Sequence, residues 1–370
     1  MKNKTKVISI ILFLSVFMMI VSYGQQKTEW KGKVETKDGI SVIKNPKKPM
    51  YGKDVFSLEE ELSIGESEGN EEYMFSEIQT VAVDEEENIY VVDEKESHIK
   101  VFDKNGEYLR TIGKKGQGPG EIGRPYGVQF THTKELMVND SRNRRISFFS
   151  TNGEFIRSIN MGKITALRLF CDSNENYIVT TYVIDPPTNT SYEIKKFDSN
   201  FNLLDTIATI PGPNPSAFNP FLPVFYCRLG ENDNIIYGYP KDYELQIINP
   251  EGKVIKKIVK EYDPVEVTEE EKEEYTKELP EQIKVDFSKY HSAYYRFTLD
   301  DEGRIFVQTW EKEEGKEGNY HDVFDKEGRY IAKIFLKTIP HVWKKKKLYT
   351  IEEDEEGFQM VKRYKVTWGY

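Results

Sequence analysis

The 370-residue sequence has only two cysteines, Cys171 and Cys227, and five histidines. Two cysteines cannot build a zinc cluster by themselves, and a small disulfide-stapled scaffold is excluded. Basic charge is also short: 52 Lys and Arg stand against 62 Asp and Glu, a formal net charge of −10. Without a basic stripe to meet phosphates, nucleic acid is excluded as a partner. Long apolar runs are missing except for Val7–Val21. That run is shorter than the ~20 residues needed to span a bilayer. It follows Lys2, Lys4 and Lys6 and precedes Ser22-Tyr23-Gly24, the order of a secretory signal over residues 1–24. The mature chain is expected to start near Gln25 and to be exported, periplasmic or extracellular. No stable membrane insertion is expected after signal cleavage.

What the sequence does contain is repetition. Residues 81–112 align without a gap on residues 128–159, so that Asp93 falls on Asp140, Phe102 on Phe149 and Gly106 on Gly153. Each copy has four short β-branched or aromatic runs separated by turn residues. A period in the forties with four strands per unit predicts an all-β propeller of four-stranded antiparallel blades. Looser copies follow over 167–207, 224–258 and 294–334. The last unit, from His341 to Val366, lacks an outer strand. Phe56–Gly65 ends in LSIG where the repeats read LRTIG, so an N-terminal strand is expected to complete that unit and close a ring of six blades. The propeller is assigned to residues 51–370, behind a polar, Lys-rich N-terminal arm over residues 25–50.

One insert, about residues 264–290, separates the fourth and fifth units. Thr268-Glu269-Glu270-Glu271 reads as a capping box opening a helix that runs to Pro280. Cys171 and Cys227 fall on inner strands of neighbouring blades, two residues out of level. A bridge would need their Cα atoms within ~7 Å, and two buried free thiols are the expected state.

Between the first two units stands Gly113-Lys114-Lys115-Gly116-Gln117-Gly118-Pro119-Gly120-Glu121, then Arg124-Pro125-Tyr126-Gly127. With Asp140, Asn143, Arg145 and Ile146, this resembles the connector and D-x-x-N-x-R-I run of NHL-repeat propellers. The remaining blades resemble the broader TolB-like six-bladed group of exported bacterial propellers. The glycine loop is expected to be a structural turn. Glu121 occupies the place of the last glycine in a dinucleotide fingerprint, and a strand follows where a phosphate site needs a helix. Asp140, Asn143 and Arg145 are expected to fasten the strand ends.

The resemblance implies two enzymatic possibilities, neither with its residues in place. Amidating lyases of this fold hold zinc through histidines after the Pro that opens an inner strand; here that place is Tyr126. His98, His132, His291, His321 and His341 fall at unrelated blade positions. Lactonase-type propellers hold calcium with axial carboxylates, whereas the inner strands here present Val81, Val128, Leu167 and Leu169. No cofactor and no metal are therefore expected. The loops beyond the second strands change from blade to blade, which is the behaviour of a recognition rim. Candidate ligand contacts are Arg124, Tyr126, Arg142, Tyr182, Tyr239, Tyr295 and Trp310. The function expected is a scaffold binding a protein, peptide or glycan through one face of the ring. A metal-dependent lyase or lactonase-type hydrolase at the propeller mouth is the alternative.

Overall fold

In the computed structural model the described residues are 29–370 except 53–54, 186–188, 214–218, 278 and 281–284; the signal over residues 1–24 lies outside them. Four-stranded antiparallel sheets form in succession from each repeat. Blade one comprises Ile78–Val83, Ile89–Asp93, His98–Phe102 and Tyr108–Ile112, and blade two Pro125–Phe130, Leu136–Asp140, Arg145–Phe149 and Phe155–Asn160. Blades three, four and five open with inner strands Arg168–Cys171, Tyr226–Leu229 and Arg296–Leu299. Blade six contains Pro340–Lys344, Lys347–Glu353 and Gln359–Trp368, and Phe56–Ile64 is its outer strand. That closing strand pairs antiparallel with the chain's last strand from Val361↔Ile64 to Trp368↔Phe56.

Residue patterning explains the strand order within a blade. The second strand of blade one, Ile89–Asp93, is buried at every position because a blade packs on each of its faces. The outer strand Phe155–Asn160 alternates half-buried with exposed side chains, as a one-sided strand should. Six apolar cores result, one at each junction between neighbouring blades, including the junction of blade six with blade one.

Aspartate sets the turns. Asp84, Asp172 and Asp300 end the inner strands and accept N–H bonds from the residues two and four further on, at 2.7–3.1 Å. Asp103, Asp198 and Asp325 do the same before the outer strands, and Asp354 before the third strand of blade six. Such Asx turns mimic a backbone turn at little entropic cost. Gly106 and Gly153, the repeated glycines, sit at φ 87° and 91°, where a side chain would be strained.

The N-terminal arm is not an extended leash. Lys33–Lys37 and Ile40–Asn45 form a hairpin around Asp38-Gly39, both at positive φ. Its second strand joins the outer strand of blade four, Val254–Lys260, in parallel, extending that sheet to six strands. Asn45, 3% exposed, fixes the hairpin by donating to Gly328 O (2.9 Å) and accepting from Tyr330 N (2.8 Å). The insert helix has the expected capping box on Thr268 but covers only Glu269–Thr276, ending short of Pro280. The Thr276 hydroxyl turns back on Lys272 O at 2.9 Å, and no helix residue is buried, so little packing exists to extend it.

Candidate functional site

The glycine-rich loop is held by the residues expected to hold it. Asp140 is wholly buried and accepts from Gly123 N (2.9 Å), Arg124 N (3.1 Å), Asn143 Nδ2 (2.7 Å) and Arg145 Nε (3.2 Å). Arg145 in turn donates to the carbonyls of Gln117, Gly118 and Glu121. Every strong donor of this cluster is used within the protein, so the loop is a clamp between blades one and two.

Inner strands begin, and second strands end, on the same face of the ring, with Pro125 opposite Asp140. All seven candidate contacts lie toward this upper face, but in separate groups. Tyr182 and Tyr239 both pack on Tyr192, with ring centroids 5.1 and 6.1 Å away. Trp310 stacks on His291 at 4.1 Å and donates its indole N–H to Ser292 Oγ. His291 meets Glu271 of the insert helix at 3.1 Å. Tyr295 lies edge-on to Trp310 at 4.9 Å. Tyr239, Tyr295 and Trp310 are half-buried in these loop contacts, and Tyr182 is 36% exposed. Arg124 is paired with Glu94, and Arg142 is exposed in the turn after the second strand of blade two. Tyr126, 37% exposed, lines the axial cavity.

That cavity, about 810 Å³, runs along the ring axis from Tyr126 to the turns at Asp84–Glu86 and Thr131–Lys134. Three of its lining residues escaped the sequence analysis: Arg168, Arg228 and Arg296. They come from the inner strands of three successive blades. Arg168 and Arg296 occupy the same level, four residues before the turn aspartates Asp172 and Asp300; Arg228 sits between them, two residues further down its strand. Among the described residues none of the three forms an ion pair with a carboxylate, whereas Arg145, Arg157 and Arg304 each do. Arg168 and Arg228 each spend a donor on a neighbouring backbone carbonyl, Leu167 O (3.0 Å) and Cys227 O (2.9 Å). Arg296 donates Nε to Gln308 Oε1 at 2.8 Å, and its Nη2 is buried with no partner.

The three guanidiniums interact. Burial first, then the charges of Arg168 and Arg296, bring Arg228 down to about 10. Burial and then Arg168 lower Arg296 as well. Burial raises the Tyr226 phenol, against the pull of all three arginines. His341, lining the same cavity, and His321 behind Arg296 are each held near 4, mainly by burial and also by the Arg296 charge. Both imidazoles are thus neutral at pH 7.

A pH dependence follows. The ordinary histidine value is 6.5. Between pH 6.5 and 4 the unfolded chain binds protons that the native chain refuses, so stability falls as pH falls. At pH 5 the loss is about 2 kcal/mol per histidine. Scanning calorimetry should show a lower melting temperature at pH 5 than at pH 7.5, and a smaller drop in His341→Gln. An identical drop in the variant would contradict the assignment.

The enzymatic alternatives would place zinc or calcium in this cavity. Among the described residues no three His, Cys, Asp or Glu side chains converge, and the charges on its upper half are guanidiniums, which repel a cation. Cys171 and Cys227 are free and buried, with burial raising each thiol to about 12. No helix among the described residues is long and apolar enough to cross a membrane.

Among solved structures, a presumptive exported protein of Bacteroides fragilis NCTC 9343 superposes with a TM-score of 0.60 at 11% identity, covering 89% of this chain and 100% of its own. A DUF4221 family member from Bacteroides vulgatus ATCC 8482 gives 0.54 at 12% identity, over 86% of this chain and 100% of its own. Both share the fold, and at such identity nothing more is implied. Virginiamycin B lyase of Staphylococcus aureus reaches only 0.47 at 9% identity, over 85% of this chain and 100% of its own, too low to bear on chemistry. No curated protein matches by sequence. A family described as "Domain of unknown function (DUF4934)" matches residues 68–331, and the chain belongs to that family.

Proposed function

We propose that this protein is an exported binding module that takes a ligand, such as a glycan or a peptide, into the axial channel of the ring. The observation that carries the reading is the channel itself. Its volume of about 810 Å³ falls in the range of small-molecule and cofactor sites, and three arginines converge on it without a carboxylate partner among the described residues. The rim aromatics Tyr239 and Trp310, by contrast, are engaged in packing. Export rests on the N-terminal signal pattern, and the absence of a convergent metal-ligand set among the described residues favours binding over metal-dependent lyase or hydrolase activity.

Gly127 offers a test. It lines the channel on blade two, a Cβ there would meet nothing within 4 Å, and its φ is not positive. Gly127→Trp should therefore fold, melting within a few degrees of the wild type, while its indole occupies the channel. A thermal-shift screen of oligosaccharides and peptides should yield a ligand whose affinity falls at least about tenfold in the variant, the loss of roughly 1.4 kcal/mol. Stoichiometric zinc or calcium with accompanying turnover would overturn the reading, as would a ligand that binds both proteins equally.

A further inference from the structure

Three cations gathered in one cavity without a counter-ion are costly to the fold. Desolvating a guanidinium is offset when a carboxylate meets it, and this chain supplies one to Arg145 (3.2 Å), Arg157 (2.6 Å) and Arg304 (2.6 Å). It supplies none to Arg168, Arg228 or Arg296 among the described residues. Acid is not scarce, since Asp and Glu outnumber Lys and Arg 62 to 52; among the described residues none lines this half of the channel. Among the described residues each arginine keeps N–H groups uncommitted, and Nη2 of Arg296 is buried with no hydrogen-bond partner, its guanidinium lying 5.3 Å from the Tyr295 ring centroid.

We infer that Arg168, Arg228 and Arg296 form an anion-binding site whose ligand carries two or more clustered carboxylates. The inference rests on the channel-binding reading and specifies its chemistry. A guanidinium presents a planar fork of donors that matches the two oxygens of a carboxylate. Two forks stand at one level on blades three and five, and the third stands two residues lower on blade four, roughly 7 Å along the strand. One carboxylate cannot satisfy forks spread over that distance, so a ligand with adjacent acid groups fits best. The facing half of the channel, with Val81, Val128 and Gln129, brings no charge to this level and leaves room for an uncharged ligand body. His321 and His341 stay neutral beside Arg296, so the site's charge is steady across neutral pH.

Free oligocarboxylates and the acidic end of a uronic-acid oligosaccharide share this chemistry. Isothermal titration calorimetry of the mature chain, residues 25–370, with citrate, trigalacturonate and inorganic phosphate separates them. Citrate or trigalacturonate should bind one to one and more tightly than phosphate. A clear preference for citrate marks a small solute, and a clear preference for trigalacturonate marks an acidic glycan. Arg228→Gln should weaken the preferred probe roughly 10- to 100-fold, as loss of a charge-assisted contact does; Arg168→Gln and Arg296→Gln should weaken it by at least several-fold. A lysine at position 228 should rescue part of the loss, since it restores charge without the fork.

Equal binding of neutral galactose oligomers, a tighter hold on phosphate than on either oligocarboxylate, or indifference to all three arginine variants would overturn the inference. The two readings fail separately. If a neutral ligand binds and depends on Gly127 while every anion fails, the anion site falls and the channel reading stands. If citrate binds and Gly127→Trp leaves its affinity unchanged, the channel reading falls.

Discussion

Asp322→Ala should cost about 3–5 kcal/mol, the penalty for stranding a buried charge, and lower the melting temperature by roughly 5–10 °C. Asp322 is wholly buried between blades four and five. It accepts from Tyr243 Oη at 2.7 Å and from Tyr330 Oη, and lies 3.3 Å from Lys260 Nζ. Lys260 is itself only 3% exposed in its side chain, with its ammonium 5.0 and 4.8 Å from the rings of Tyr243 and Tyr330. Removing the carboxylate leaves two phenols and an ammonium without their acceptor. Lys260→Met in the same chain should recover much of the loss, because an apolar replacement of a whole buried pair is far cheaper than half a pair. Urea unfolding of the four chains of this cycle checks it; additive losses would refute the coupling.

A chain beginning at residue 66 should fail to fold. It lacks Phe56–Ile64, the closing strand, whose Ile64 is 2% exposed and whose Phe56, Leu58 and Leu62 are half-buried against neighbouring blades. Burial of each such side chain contributes up to about 1.5–3 kcal/mol, so the deletion approaches the 5–15 kcal/mol that holds a typical protein folded. Glu59, Glu60 and Glu61 also face Lys365, Lys362 and Arg363 across the seam. The unpaired edge of Gln359–Trp368 would then be free to pair between chains. Gel filtration of the truncated protein should give aggregates; a monomer with the native circular dichroism spectrum would show that the ring does not need its clasp.

The blades were legible because their determinants are local. An aspartate and the two N–H groups it caps lie within four residues, so turn chemistry such as DEEEN, DKNG and DSNFN survives even where strands drift. The closing strand was legible for the same reason, through the echo of LSIG in LRTIG. The hairpin at Lys33–Asn45 was not, since its partner edge lies more than 200 residues away and its own composition is Lys-rich. Trp310 and Tyr239 read as a variable rim because their positions change between blades, but part of that change reflects the insert, which packs its own His291 on Trp310.

The arginine triad was missed for a specific reason. Reading the inner strands by apolar alternation follows Val81, Val128, Leu167 and Leu169, and so skips the intervening positions. Arg228 is also displaced by two residues from Arg168 and Arg296, which hides it from a repeat alignment. A signal was present: LRLF, CRLG and YRFT place one arginine among apolar neighbours in three successive inner strands.

On the proposal above, these arginines are kept for a ligand at the expense of the fold. Thermal unfolding of the wild type and of Arg228→Met, each with and without citrate, tests it most directly. Without citrate the variant should melt higher, by a few degrees, because an unpaired buried cation has gone, a gain of about 1–3 kcal/mol. With citrate at 100 times its dissociation constant, the wild type should gain about 2.7 kcal/mol and the variant almost nothing. A variant that melts lower than the wild type, and that citrate stabilises equally, would show Arg228 to be a structural residue and not a ligand contact.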